Sequence, residues 1–199
     1  MKSSRAYSMS SRADAVATTK ERIVGAALAL LMERRYDDVT LADIATAAGV
    51  SHQTVLNHFE SKEGVAFAAA DTARETTSLA RAGSTVGDAV GAVRLLVADY
   101  ERMGDANVRW AMDVERLGSL APFIEEARQS HRAWLEEIFE LALPTDAKAR
   151  KRTLNALHAA TDVYTWKLLR RDLGVGRPET ERTMVHLVNG ALGRNPTPT

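Results

Sequence analysis

The residues best equipped for chemistry in this chain lie close together. His52, Gln53, Asn57 and His58 fall within seven positions, and none of them belongs to a hydrolytic or redox pattern. Gln and Asn each carry a donor and an acceptor on one planar amide, so either can pair bidentately with the edge of adenine in the major groove. A polar face of this composition also occurs on an ordinary solvated helical hairpin. The segments around it decide between the two.

Those segments have the signs of a helix-turn-helix. Thr40-Leu41-Ala42-Asp43 is a capping-box-like start for a short helix over 41–48, and Gly49 can end that helix in a left-handed conformation. Ser51 is placed to cap a second short helix over 52–58, and Ser61 to cap a longer one from Lys62 to about Arg81. Ala45 and Ala48 are small enough for two helices to approach, with Ile44, Val50 and Val55 as their shared core. Two short helices joined by a Gly-containing turn form the plan that lays its second helix into DNA.

The rest of the chain reads as helix as well, so the fold class is all-α. Pro occurs between residues 19 and 193 only at 122, 144 and 178, each at a plausible boundary, and no alternating strand pattern occurs. Helices are expected over 19–35, 85–103 (Val86, Val90, Val93, Val97, Tyr100), 106–117, 122–143 (Phe123, Ala127, Trp134, Ile138, Leu141), 146–173, and from Pro178 to the end of the fold at 193. The 146–173 segment is apolar on two sides and so is expected to be buried on two sides. The expected organisation is a disordered basic arm over 1–18, a three-helix DNA-binding domain over 19–65, a helical ligand-binding and dimerisation domain over 66–193, and a flexible tail over 194–199.

Composition removes other classes. The 199 residues hold 26 Lys plus Arg against 26 Asp plus Glu, so whole-chain charge gives no argument for nucleic acid. There is no cysteine, hence no disulfide, thiolate metal site or thiol nucleophile. No apolar run approaches the roughly 18 residues of a membrane span, and no secretory pattern opens the chain, so the expected location is the cytoplasm. His52 and His58 lie about 240° apart around a helix and cannot share a metal from one face. No zincin, di-iron, nucleophile-elbow or phosphate-loop pattern is present. Neither an enzyme nor a cofactor or metal is expected. Tyr100, Met103, Trp110, Met112, Trp134 and Trp166 could line an apolar pocket, with His131, beside Trp134, as its polar anchor; aromatics at helical spacing also suit an ordinary core.

Residues 19–65, ending in His58-Phe59-Glu60-Ser61-Lys62, resemble the DNA-binding domain of TetR-family transcriptional regulators. The resemblance covers about a quarter of the chain by motif and the remainder by architecture. It implies that Thr40, Thr54, His58 and Lys62 touch phosphates and that His52 and Gln53 read bases. Ser51 and Asn57 complete the DNA-facing set expected from the residues themselves. Two positions depart from the family. Leu56 stands where the family has a backbone-touching Tyr, and Arg35 stands where it has a Gly that closes the first helix. Residues 1–62 hold eight basic and seven acidic groups, so neutral donors and helix N-termini must supply much of the phosphate contact.

The resulting expectation is a homodimeric regulator, a repressor on a palindromic double-stranded operator, released by a small apolar or aromatic effector. Tyr164, Leu168, Met184, Leu187, Val188 and Leu192 are expected near the dimer interface, because the last two helices carry more apolar surface than one bundle needs. The alternative is a helical-bundle protein that binds or processes a small apolar molecule and keeps a vestigial helix-turn-helix.

Overall fold

The first helix of the computed structural model, α1, runs Ser3–Glu33. The structure describes residues 3–194, of which 3–13 and Arg116 are described by backbone only; residues 1–2 and 195–199, parts of the expected arm and tail, lie outside it. The expected arm is therefore helical from Ser3. Neither Gly nor Pro occurs before Gly25, so nothing local stops the helix from propagating back from its buried half. That half buries Ile23, Val24, Ala27 and Leu31.

After a short 3-10 turn at Tyr36–Asp38, α2 (Leu41–Ala48), α3 (His52–Phe59) and α4 (Lys62–Arg81) follow. Ile44, Ala45, Ala48, Val55, Val65, Ala66 and Ala69 are buried, and α2 packs against both α1 and α3. Val50 is only half-buried, so the shared core rests on Ile44 and Val55. Full burial of a Val or Ile side chain is worth roughly 1.5–3 kcal/mol, which is what holds helices of eight residues that would not persist alone.

The chain divides into two compact units, one up to Ala73 and one from Arg74 on. In the second unit, α5 (Ala89–Met112) is a single helix where two were expected. Gly104 does not break it. A Cβ there would lie 2.4 Å from Cζ3 of Trp166, so the glycine makes room for an indole. The buried stripe is Ala89, Ala92, Val93, Leu96, Val97, Tyr100 and Met103, whereas Val86 and Val90 are half exposed. α6 (Ala121–Phe139) follows, and Leu141, expected on its stripe, lies beyond it in a 3-10 turn, 90% exposed.

The expected 146–173 helix is interrupted. α7 (Ala147–Thr161) ends at Asp162, which is extended (φ −69°, ψ 151°) and caps α8 (Val163–Lys167) by accepting the Tyr164 N–H at 2.9 Å. A π-helical turn, Leu168–Asp172, then leads to Gly174 in the left-handed region. α9 (Arg177–Ala191) has Pro178 in its first turn. α5, α7, α8 and α9 pack around Leu96, Leu157, Trp166, Met184 and Val188. Among the described residues there is no strand, and no helix long and apolar enough to cross a membrane.

Candidate nucleic-acid interface

The turn between α2 and α3 is built by side chains that close their own backbone. Thr40 accepts the Asp43 N–H at 3.1 Å, and the Asp43 carboxylate accepts the Thr40 N–H at 2.9 Å and hydroxyl at 2.8 Å. These bonds, the Thr40 N–H first, hold the Asp43 carboxyl below its usual range. Gly49 takes φ +64° and ends α2. Ser51 accepts the Thr54 N–H at 3.1 Å and starts α3.

On α3, His52, Gln53 and Asn57 are exposed, Thr54, Leu56 and His58 are half-buried, and Val55 is fully enclosed. Gln53 Nε2 donates to Asn57 Oδ1 at 2.9 Å, one helical turn away. The pair still leaves one amide oxygen and several N–H donors pointing outward. The α3–α4 corner is tight. Glu60 takes φ +64°, the only positive φ among the described non-Gly residues. A Cβ on Gly64 would lie 2.2 Å from the Phe59 carbonyl oxygen, so the start of α4 sits directly against the end of α3. Ser61 caps α4 through the Gly64 N–H at 3.1 Å.

Residues 23–69 match the family model described as bacterial regulatory proteins, tetR family. The chain has the helix-turn-helix domain and the fold of the TetR family. It is 40% identical over 50 residues to the HTH-type transcriptional regulator AlkX of Mycobacterium tuberculosis, a match over 25% of this chain and 24% of AlkX. It thus spans about a quarter of that relative. A TetR-family regulator from Streptomyces coelicolor superimposes with a TM-score of 0.71 over 90% of each chain at 19% identity. The multidrug binding protein EbrR, complexed with imidazole, does so with 0.60 at 20% identity, over 89% of this chain and 90% of that one.

Within this TetR-type domain the two departures have a structural answer. α1 stops at Glu33, and Arg35 is extended (φ −67°, ψ 151°), so no left-handed residue is needed there. Arg34 secures the turn through the Asp38 carbonyl and a 3.4 Å contact to Asp43. Leu56 is half-buried, and its aliphatic side chain gives the domain no donor at that position.

Three contributors had no signal in the sequence, because each depends on a contact between distant elements. Arg22 Nη2 donates to the Ala48 carbonyl at 2.5 Å and to that of Gly49 at 3.3 Å, satisfying the end of α2 from α1. Tyr36 carries the Lys62 ammonium 4.1 Å from its ring centre, and its hydroxyl donates to Glu63 at 3.2 Å. Burial, then the Glu63 carboxylate, push the Tyr36 hydroxyl up to about 12. Lys20 reaches to within 5.8 Å of the Phe59 ring centre.

The second unit of this TetR-type fold sorts the remaining candidates. Tyr100, Met103, His131, Trp134 and Trp166 are buried, and the Tyr100 and Trp166 ring centres lie 5.9 Å apart. Trp110 is half-buried, and Met112, expected in the pocket, is 70% exposed near the end of α5. Met184 and Val188 are fully enclosed in their own chain's core, so they add no surface for a partner, contrary to expectation. Tyr164, Leu168 and Leu187 remain exposed, and Leu192 is half-buried. Among the described residues no cluster of three or more His, Asp or Glu could hold a metal ion.

Proposed function

We propose that this protein is a cytoplasmic, homodimeric transcriptional repressor that binds a palindromic operator and releases it when a small apolar or aromatic effector binds the second unit. The observation that carries the reading is the α3 face, where Gln53 and Asn57 stand exposed beside capped helix ends, above a fully buried Val55. His52 and Gln53 read base edges. Thr40, Thr54, His58 and Lys62 position the helix through phosphates, and Ser51 and Asn57 complete the DNA-facing set. The dimer reading draws on Tyr164, Leu168 and Leu187, apolar side chains 43%, 50% and 42% exposed. Two copies pairing these patches about a two-fold axis present two α3 helices to two half-sites.

Release follows from linkage. An effector that binds better when the two α3 helices are wrongly spaced weakens DNA binding by the same factor by which DNA weakens it. The multidrug binding named for EbrR, a neighbour in fold, supports a small-molecule role for the second unit. A gel shift on the DNA upstream of the chain's own gene, with sedimentation in parallel, tests the reading. A retarded complex and about twice the 21.7 kDa chain mass are expected. A stable monomer that retards no DNA would leave the bundle-protein alternative as the better reading.

A further inference from the structure

Nε of Arg81, in the last turn of α4, and Nδ1 of His131, on α6, are buried in the second unit without a hydrogen-bond partner. Both residues lie along one indole. The Arg81 guanidinium carbon is 5.1 Å from the Trp134 ring centre, and the His131 ring centre is 5.9 Å from it. His131 is 6% exposed and Trp134 8%. A buried polar atom left unpaired costs free energy that a ligand able to pair it recovers.

The neighbouring polar groups are already committed. The Tyr100 hydroxyl donates to the Thr161 carbonyl at 2.9 Å, Trp134 Nε1 to Ser84 at 3.3 Å, and His158 lies 3.4 Å from Asp162. The Asp99 carboxylate takes Arg102 at 2.6 Å and the Thr77 hydroxyl at 3.3 Å. The second nitrogen of His131 fixes what its free one can do. Nε2 lies 2.9 Å from Thr161 Oγ1, and the hydroxyl hydrogen of Thr161 goes to the Leu157 carbonyl at 2.7 Å. Thr161 therefore accepts from His131 Nε2–H, and Nδ1 keeps its lone pair. Burial first, then Arg81 and His158, push the imidazole down to about 3, so no second proton occupies Nδ1 at neutral pH. Arg81 Nε always carries a hydrogen. One free donor and one free acceptor thus flank an aromatic surface.

We propose that this site binds an aromatic molecule bearing an anionic oxygen, taken by Arg81, and a neighbouring hydroxyl, taken by His131. An ortho-hydroxyaryl carboxylate has that chemistry. The inference deepens the effector reading above and rests on it for any consequence at the operator, though not for binding itself.

The test is a calorimetric titration of the full chain with 2-hydroxybenzoate, benzoate, phenol and toluene. We expect 2-hydroxybenzoate to bind tightest, benzoate and phenol each about tenfold weaker for one lost hydrogen bond, and toluene weakest. Arg81→Met should cost about tenfold or more for both carboxylates and leave toluene unchanged. His131→Phe should do the same for the two hydroxyl compounds. The four-compound series on the unsubstituted protein stands even if His131→Phe does not fold. Toluene binding as tightly as the acids, an Arg81→Met protein with undiminished preference for them, or no binding of any of the four at millimolar concentration would overturn the proposal. Carboxylate binding that needs Arg81 but leaves operator affinity unchanged upholds the site and removes the effector reading. Operator release by toluene, independent of Arg81, does the reverse.

Discussion

The Lys62 ammonium sits 4.1 Å from the centre of the Tyr36 ring, so the first side chain of α4 is held over the loop that joins α1 to α2. A lysine on a free stem loses rotamer entropy when it meets a phosphate, and one already stacked has lost part of it. Lys62→Ala should weaken binding to operator and scrambled DNA alike and lower the salt slope by about one unit per half-site. Tyr36→Leu keeps the charge and frees the stem. It should cost about 0.5–1 kcal/mol and leave the slope unchanged. Filter binding at several salt concentrations separates the two, and a slope that falls with Tyr36→Leu would place the tyrosine itself on a phosphate.

Gln53 and Asn57 hold each other at 2.9 Å in the free protein. Gln53→Ala should lose roughly 1–3 kcal/mol per half-site, mainly on the correct operator. Because the partners share a bond, the double change Gln53→Ala with Asn57→Ala should cost less than the sum of the two. Affinities of the four proteins on operator and scrambled DNA give the coupling directly, and strict additivity would show that the pair separates before either residue meets a base.

Gly64 and Gly25 should respond oppositely to the same change. A methyl group on Gly64 meets the Phe59 carbonyl oxygen at 2.2 Å, whereas one on Gly25 meets nothing within 4 Å. Gly64→Ala should destabilise by roughly 1–3 kcal/mol and disturb the corner that presents α3. Gly25→Ala, on an exposed face of α1, should stabilise by about 0.5–1 kcal/mol. Urea melts of both proteins check the contrast.

Glu60 closes α3 at φ +64°, a region costly for a residue with a Cβ. Glu60→Gly should stabilise by about 1 kcal/mol. It should also tighten DNA binding without regard to sequence, since an anion two residues from Lys62 is removed. Stability gained with DNA affinity unchanged would place that carboxylate away from the duplex.

His131 gives stability a pH dependence whose sign is fixed by its burial. Its folded value is pushed down to about 3 from 6.5, so between those values the unfolded chain binds a proton that the folded chain refuses. The contribution is complete above pH 6.5 and is lost as pH falls towards 3, at a limiting slope of about 1.4 kcal/mol per pH unit. Urea melts between pH 7 and 4 should show this slope and should show it flattened in His131→Phe. An unchanged acid limb in a folded His131→Phe protein would assign the slope to other groups.

What could be read from the sequence was local. Thr40, Gly49 and Ser51 act on backbone atoms within a few residues of themselves, so their roles were visible without a fold. Arg22, Tyr36 and Arg81 were not, because their partners lie 26, 27 and 50-odd positions away and nothing near them in sequence marks the contact. The segmentation of the second unit failed for a related reason. The expected break between 103 and 106 is absent because Gly104 serves a tertiary contact, and Asp162, inside the expected 146–173 helix, has a side chain able to start a new one. Met184 and Val188 lie on the stripe of α9 that the chain keeps for itself, while Leu187 lies beside it. Periodicity identifies the stripe and leaves open which copy covers it.

The single extended residue Asp162 is an angular dislocation between α7 and α8. In one unbroken helix, Trp166 would stand about 240° around from Ala160 and so turn away from the face that carries Leu157. Resetting the phase at one residue lets both faces point inward, with Leu157 and Trp166 each fully enclosed. It also turns the Thr161 carbonyl out of the helical ladder, where the Tyr100 hydroxyl caps it at 2.9 Å. Each helix thereby keeps its own phase: α7 turns Leu157 to the core while α8 seats its indole over Gly104.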